Sequence, residues 1–111
     1  MIKIPFNRAD VNSRDIELLN QAILAGHVSG NGSFTKQAEE KITKTLGCSK
    51  TLLTTSCTHA LEMAALLLRL QPGDEVIVPA FTFVSTASAF MLYGAKPVFV
   101  DVRRDTLNID P

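Results

Sequence analysis

Three short apolar runs, separated by helix-like segments, constrain the fold of this chain more than any other feature of its sequence. They are Thr51 to Thr54, Glu75 to Pro79 and Pro97 to Val102, so their first residues stand 24 positions (51 to 75) and 22 positions (75 to 97) apart. Strands that alternate with helices at such spacing are typical of a parallel βαβαβ sheet. The runs are continuous rather than alternating, which favours strands covered on both faces. We therefore expect an α/β fold.

The residues before the first apolar run predict two amphipathic helices joined by a glycine-rich loop. Over 13–25, apolar side chains recur every three or four positions after Asn12, a helix-start signal. A second helix is expected over 35–46, where charged side chains cover one face. Between them, 27–33 contains glycines that favour turns. The sheet is thus preceded by two helices.

The two later helix-like segments are apolar around nearly their whole circumference. Leucine, methionine and alanine dominate 61–70, and 87–92 is similar. Helices of this kind need burial on every side, which a sheet of three strands with two helices does not supply. Residues 108–111 also look like the approach to a further helix. We predict a helical segment over 1–50 and the start of an incomplete sheet domain over 51–111.

The composition of the chain argues against several classes of function. Its 111 residues are 46% hydrophobic, and 11 basic residues balance 11 acidic ones, as in one globular domain. Balanced charge gives no argument for binding nucleic acid or an anionic membrane, and the longest mostly apolar stretch is too short to cross a bilayer. The two cysteines and two histidines lack metal-ligand spacing. The N-terminus does not resemble a leader peptide, so we expect the cytoplasm.

Small polar residues follow the first apolar run, at the place where an open parallel sheet binds its ligands. The segment leads into a helix, so the backbone N–H groups of Cys57, Thr58 and His59 could hold a phosphate. On the segment alone an ordinary helix N-cap is the favoured interpretation of the serine and threonines, because both residue types cap helices for their own backbone reasons. A thiol enzyme, with Cys57 as nucleophile and His59 as base, is a third interpretation. It is ranked last because no carboxylate stands at an identifiable spacing to orient His59.

The second and third apolar runs also end in aromatic or polar side chains. Phe81 and Phe83 follow the second run, where an aromatic ring could stack on a flat cofactor, although most phenylalanines are core residues. Asp101 follows the third run and could orient a ligand or cap a turn. The residues alone therefore predict a phosphate-ligand site on an incomplete α/β domain.

Four motifs occur in order along the chain: Ser56-Cys57-Thr58-His59-Ala60-Leu61, then 71–79, then Phe81-Thr82-Phe83-Val84-Ser85-Thr86, then 94–102. Together they resemble the N-terminal part of the nucleotide-sugar aminotransferases, the DegT/DnrJ/EryC1/StrS family. The resemblance runs from about Pro5 to Pro111. It implies the N-terminal portion of a fold type I aminotransferase that depends on pyridoxal 5'-phosphate (PLP).

The resemblance also implies a cofactor site and a substrate site. It places the backbone amides of Cys57, Thr58 and His59, with the Thr58 hydroxyl, on the phosphate of PLP. It places Phe83 on the pyridine ring. Asn31, in the glycine-rich loop, would lie near the sugar nucleotide, in a loop that family members often contribute across a dimer interface. A homo-oligomer is therefore expected.

A dTDP-4-keto-6-deoxyhexose substrate and glutamate as the amino donor follow from the same resemblance. The Schiff-base lysine of the family lies downstream of these motifs, so we assign no catalytic residue and expect the chain alone to be inactive. None of the six lysines matches that position: Lys3, Lys36, Lys41, Lys44, Lys50 and Lys96. A non-catalytic phosphate-ligand or interaction module is the alternative.

Overall fold

The computed structural model describes residues 4–110 and divides the chain into two compact units, Met1–Leu52 and Leu53–Pro111. The outer ends of the two predicted segments, residues 1–3 and Pro111, lie outside the described residues.

The first unit contains the helices α1 (Ser13–Leu24) and α2 (Ser33–Leu46). Asn12 begins α1, because its side-chain oxygen accepts the Asp15 N–H at 3.3 Å while the Asp15 carboxylate accepts the Asn12 N–H at 2.9 Å. This reciprocal capping box satisfies N–H groups that a helix leaves unpaired in its first turn. Both predicted helices are confirmed, although α2 begins at Ser33 rather than at residue 35, since Gly32 already takes the extended N-cap conformation.

The second unit is a βαβ arrangement preceded by a helix. Along the chain it contains α3 (Cys57–Leu67), β1 (Glu75–Pro79), α4 (Ser85–Met91) and β2 (Lys96–Val100). The strands β1 and β2 pair in parallel, with Glu75 opposite Lys96 and Pro79 opposite Val100. A parallel pair requires a crossover connection, and α4 supplies it.

The core of this unit lies where α3 packs on α4 and α4 packs on the sheet. Small side chains let α3 and α4 approach each other, and one strand residue completes the contact. The fully or nearly buried members are Ala65, Val78, Ala87, Phe90 and Ala95. Since aliphatic burial contributes roughly 25 cal/mol per Å², a core built largely from alanine is a modest source of stability.

The run Thr51 to Thr54 is not a strand, so the prediction of three strands over these residues is wrong. Within residues 4–110 the sheet has two strands, β1 and β2. An apolar run becomes a strand only when a neighbouring strand accepts its ladder hydrogen bonds, which is a non-local condition. The third run also ends early, at Val100, and Val102 instead forms an isolated antiparallel bridge with Ile109. Residues 108–110 therefore fold back beside Val102, and a further helix after them stays a prediction.

The second unit leaves much of its apolar surface exposed. Neighbouring strand residues face opposite sides of a sheet, and Ile77 is 63% exposed while Val78 is 2% exposed. The expectation that β1 is covered on both faces is therefore wrong for this structure. In α3, Leu67 is 74% exposed, although its composition calls for burial on every side.

Candidate functional site

The first turn of α3 presents two backbone N–H groups that no protein atom engages. Ser56 is the N-cap residue, and its Oγ accepts the His59 N–H at 3.1 Å. This confirms the N-cap interpretation of Ser56. Among residues 4–110, no hydrogen bond joins the N–H of Cys57 or Thr58 to a protein acceptor. These two groups stand at the positive end of an 11-residue helix.

The geometry at this turn suits an anion. Backbone N–H groups at a helix N-terminus point outward and favour negative charge, which is how many proteins bind phosphate. Cys57 is exposed and Thr58 half-buried, so a ligand can reach both. The predicted contribution of the His59 amide differs in kind, because that N–H reaches an anion only by giving up Ser56 Oγ.

Two further hydrogen bonds brace the turn that precedes α3. Thr54 Oγ1 donates to the Ser56 carbonyl oxygen at 2.7 Å, and Thr55 Oγ1 lies 2.5 Å from Nδ1 of His59. The Thr55–His59 contact was not predicted, although a hydroxyl four positions before an imidazole at a helix start was the available signal. Because Nδ1 of His59 is engaged with Thr55, the structure gives no support to a thiol–imidazole pair with Cys57.

Phe83 lies in the turn between β1 and α4, and its side chain is 74% exposed. The alternative that it is a core residue is therefore wrong, and so it is for Phe81, which is 70% exposed. The same turn is held by a 2.8 Å hydrogen bond between the hydroxyls of Thr82 and Thr86. Since α3 and α4 pack against each other, the exposed ring of Phe83 and the open amides of α3 belong to one compact unit.

Asp101 follows β2 and acts within its own turn. Its Oδ1 accepts the N–H of Val102 at 3.0 Å, and its carbonyl oxygen accepts the N–H of Asp110 at 3.1 Å. Of the two predicted roles for Asp101, the structure shows the turn cap.

Asn31 belongs to the first unit, in the loop that joins α1 to α2. Its φ of 61° is left-handed, a conformation that asparagine tolerates better than most residues. Beside this loop, α1 and α2 enclose an open, mainly apolar groove of about 390 Å³. The predicted substrate residue and the predicted cofactor residues are thus carried by different compact units.

Two further features of residues 4–110 concern metal ions and membranes. No group of three or more His, Cys, Asp or Glu side chains is arranged to hold a metal ion. None of the described helices combines the length and the apolar character that a bilayer-spanning segment requires.

Comparison with known proteins places this arrangement among PLP enzymes. A family model described as the DegT/DnrJ/EryC1/StrS aminotransferase family matches residues 9–111. Spr1654 from Streptococcus pneumoniae, described as a sugar aminotransferase and solved in its PLP form, is 35% identical, with a TM-score of 0.82 over 98% of this chain and 28% of that one. The GDP-4-keto-6-deoxy-D-mannose-3-dehydratase of E. coli, with bound hydrated PLP, is 32% identical, with a TM-score of 0.84 over 99% of this chain and 30% of that one.

A third similar structure contains a sugar nucleotide. It is a variant of GDP-4-keto-6-deoxymannose-3-dehydratase with bound GDP-perosamine, 31% identical, with a TM-score of 0.83 over 97% of this chain and 29% of that one. The chain therefore spans less than a third of the length of these proteins.

Proposed function

Because the chain belongs to the DegT/DnrJ/EryC1/StrS aminotransferase family, we propose that it is the N-terminal part of a PLP-dependent enzyme that aminates a sugar nucleotide. The proposed substrate is a dTDP-4-keto-6-deoxyhexose, which receives its amino group from glutamate at the keto carbon. The residues of 4–7, 29–32 and 61–68 resemble dTDP-4-amino-4,6-dideoxygalactose transaminase, and this resemblance supports the proposed substrate. The proposal therefore extends to cytoplasmic synthesis of a surface polysaccharide, the enterobacterial common antigen.

The start of α3 is the observation that carries this proposal. Two N–H groups at the positive end of the helix, those of Cys57 and Thr58, have no protein partner among the described residues. They lie inside the region that the family model matches. A phosphate is the part of PLP that such a turn recognises, because its charge and its acceptor oxygens complement the helix dipole and the free donors.

Three residues of this chain would hold the cofactor. The Cys57 and Thr58 amides, together with the Thr58 hydroxyl, would donate hydrogen bonds to the phosphate, and the exposed Phe83 ring would offer a flat face to the pyridine. When bound, PLP supplies an electrophilic carbon and an electron sink for moving the amino group. The contribution of this chain is binding and orientation, since its lysines match no Schiff-base position.

Phosphate binding is the sharpest test of the site. We expect Thr58→Val to weaken binding of PLP and of inorganic phosphate roughly ten-fold, because it removes a hydrogen bond to a charged group. The matched control is Thr35→Val, which makes the same change at another half-buried threonine in the first turn of a helix, α2. Amide shifts of Cys57 and Thr58 in NMR spectra report the binding. Equal affinities for the two variants would refute the assigned phosphate site.

The alternative is a module that binds a phosphate ligand without catalysis, which the open amides of Cys57 and Thr58 would equally serve. The two functions are distinguished with protein that is produced from its complete gene. The intact mass of this protein is measured first. A cofactor absorbance band with glutamate-dependent turnover supports the aminotransferase. Phosphate binding with no such band and no turnover supports the module.

The nucleotide is tested by competition in the same protein. The proposal expects dTDP to bind more tightly than GDP. Preference for GDP would overturn the dTDP assignment while leaving the sugar-nucleotide class in place, because one similar structure contains GDP-perosamine.

A further inference from the structure

The imidazole of His27, an exposed residue, contacts the loop that joins α1 to α2. Its Nε2 lies 3.3 Å from the carbonyl oxygen of Gly30 and 3.3 Å from the hydroxyl of Ser29. A carbonyl oxygen only accepts hydrogen bonds, so the contact with Gly30 is a hydrogen bond when Nε2 carries a hydrogen. His27 thus contacts Gly30, the residue that immediately precedes Asn31.

The backbone of Gly32 lies close to the His27 ring. A Cβ added to Gly32 would stand 3.0 Å from Cδ2 of His27, which is tighter than ordinary van der Waals contact, whereas a Cβ added to Gly30 would meet nothing within 4 Å. The φ of Gly32 is −77°, a value open to any residue. An added methyl group would therefore press on the ring, which would have to shift by a few tenths of an ångström to admit it.

Asn31 lies between these two anchored positions. Its left-handed φ of 61° is uncommon outside glycine and persists where surrounding contacts hold it. The ring engages Gly30 on one side of Asn31 and packs against Gly32 on the other. The side chain of Asn31 is itself exposed and free to meet a ligand.

We propose that His27 is a positioning residue for substrate binding, which holds this loop in the conformation that presents Asn31 to the sugar nucleotide. The inference rests on the proposed function and on the predicted placement of Asn31 near the sugar nucleotide. His27 itself need not touch the ligand, so its effect is expected on affinity rather than on the amino-transfer step.

The experiment compares four variants of the full chain. His27→Phe keeps an aromatic ring and removes the donor, whereas His27→Gln restores an N–H near the place of Nε2. Gly32→Ala crowds the ring, and its matched control Gly30→Ala adds the same methyl group in open space. Order of the loop is read from the ¹⁵N order parameter of Asn31. Affinity is read by calorimetry with dTDP-glucose, using protein produced from the complete gene.

We expect His27→Phe and Gly32→Ala to lower the Asn31 order parameter from about 0.85 to below about 0.6, the range of flexible backbone. The dissociation constant for dTDP-glucose should rise about five-fold, the change expected for one lost hydrogen bond. His27→Gln and Gly30→Ala should stay close to the unaltered protein in both measurements.

Three results would count against the proposal. An unchanged order parameter in His27→Phe shows that the ring does not hold the loop. A lowered order parameter with unchanged affinity shows that the order of the loop does not contribute to substrate binding. If the unaltered protein binds neither dTDP-glucose nor a GDP-sugar, the proposed function fails and the substrate role of His27 fails with it, while the order parameter still decides whether His27 holds the loop.

Discussion

Replacement of Gly94 by alanine should destabilise the second unit more than any other glycine-to-alanine change in it. Gly94 lies between α4 and β2 with a φ of +78°, a left-handed conformation that L residues avoid. A Cβ at this position would also stand 3.0 Å from the Cα, 3.1 Å from the Cβ and 3.2 Å from the Cγ of Pro72. Pro72 has little freedom to move, because the Gly73 N–H donates to the Gly94 carbonyl at 3.0 Å.

The magnitude follows from two separate contributions. Left-handed backbone costs a non-glycine residue roughly 1–2 kcal/mol, and crowding a packed contact adds typically about 1–3 kcal/mol. Gly94→Ala should therefore lower the free energy of unfolding by roughly 2–5 kcal/mol. The free energy of unfolding of a native domain is about 5–15 kcal/mol, so the expected loss is a large fraction of the stability.

Gly73→Ala is the matched control, because it isolates the backbone contribution. Its φ is +96°, but an added Cβ would meet nothing within 4 Å. We expect a loss of roughly 1–2 kcal/mol there, from backbone strain alone. Urea unfolding of both variants measures the difference, with the slope checked for constancy. Equal losses at the two positions would show that the contact with Pro72 contributes nothing, and the reasoning would be refuted.

Three further perturbations test other parts of the structure. Asn12→Ala removes the capping box of α1 and should cost about 1 kcal/mol, seen as lower helical circular dichroism, whereas an unchanged signal would contradict the cap. The hydrogen bond from Arg103 holds the pKa of Asp105 below its usual range, so this pair is intact at neutral pH and is lost as the pH falls through the lowered pKa. An Asp105 carboxyl shift that titrates in the ordinary Asp range, measured by NMR, would refute that pairing. The exposed side chains of Leu66, Leu67 and Leu68 predict self-association in light scattering, and a monodisperse monomer would contradict it.

The sequence predicted those parts of the fold that depend on local information. Both helices of the first unit followed from apolar spacing and cap residues, and β1 followed from its bounded apolar run. The run Thr51 to Thr54 has the same local character, but whether it becomes a strand depends on a pairing partner that no local pattern encodes. The sequence did not determine whether Phe83 is exposed, for the same reason: the burial of a side chain depends on which parts of the chain cover it.

The candidate site was predictable to a similar depth. Hydroxyl residues before a helix start predicted both an N-cap and an anion site. The structure shows which backbone N–H groups of the first turn the cap engages and which it leaves open. Ser56 takes the amide of His59, while the amides of Cys57 and Thr58 stay open. That division depends on side-chain rotamers at the turn, as does the contact between Thr55 and His59. Sequence spacing does not determine rotamers.

The two-stranded sheet affects the tendency of newly made chains to aggregate. Within residues 4–110, both β1 and β2 are edge strands, and such edges can template pairing with other chains and lead to aggregation. Pro79 ends β1 and Pro97 is the second residue of β2, so each edge lacks one backbone donor. Glu75 and Lys96 add a charge at the first position of each strand. These four residues act as gatekeepers, which interrupt strand addition to an otherwise apolar ladder.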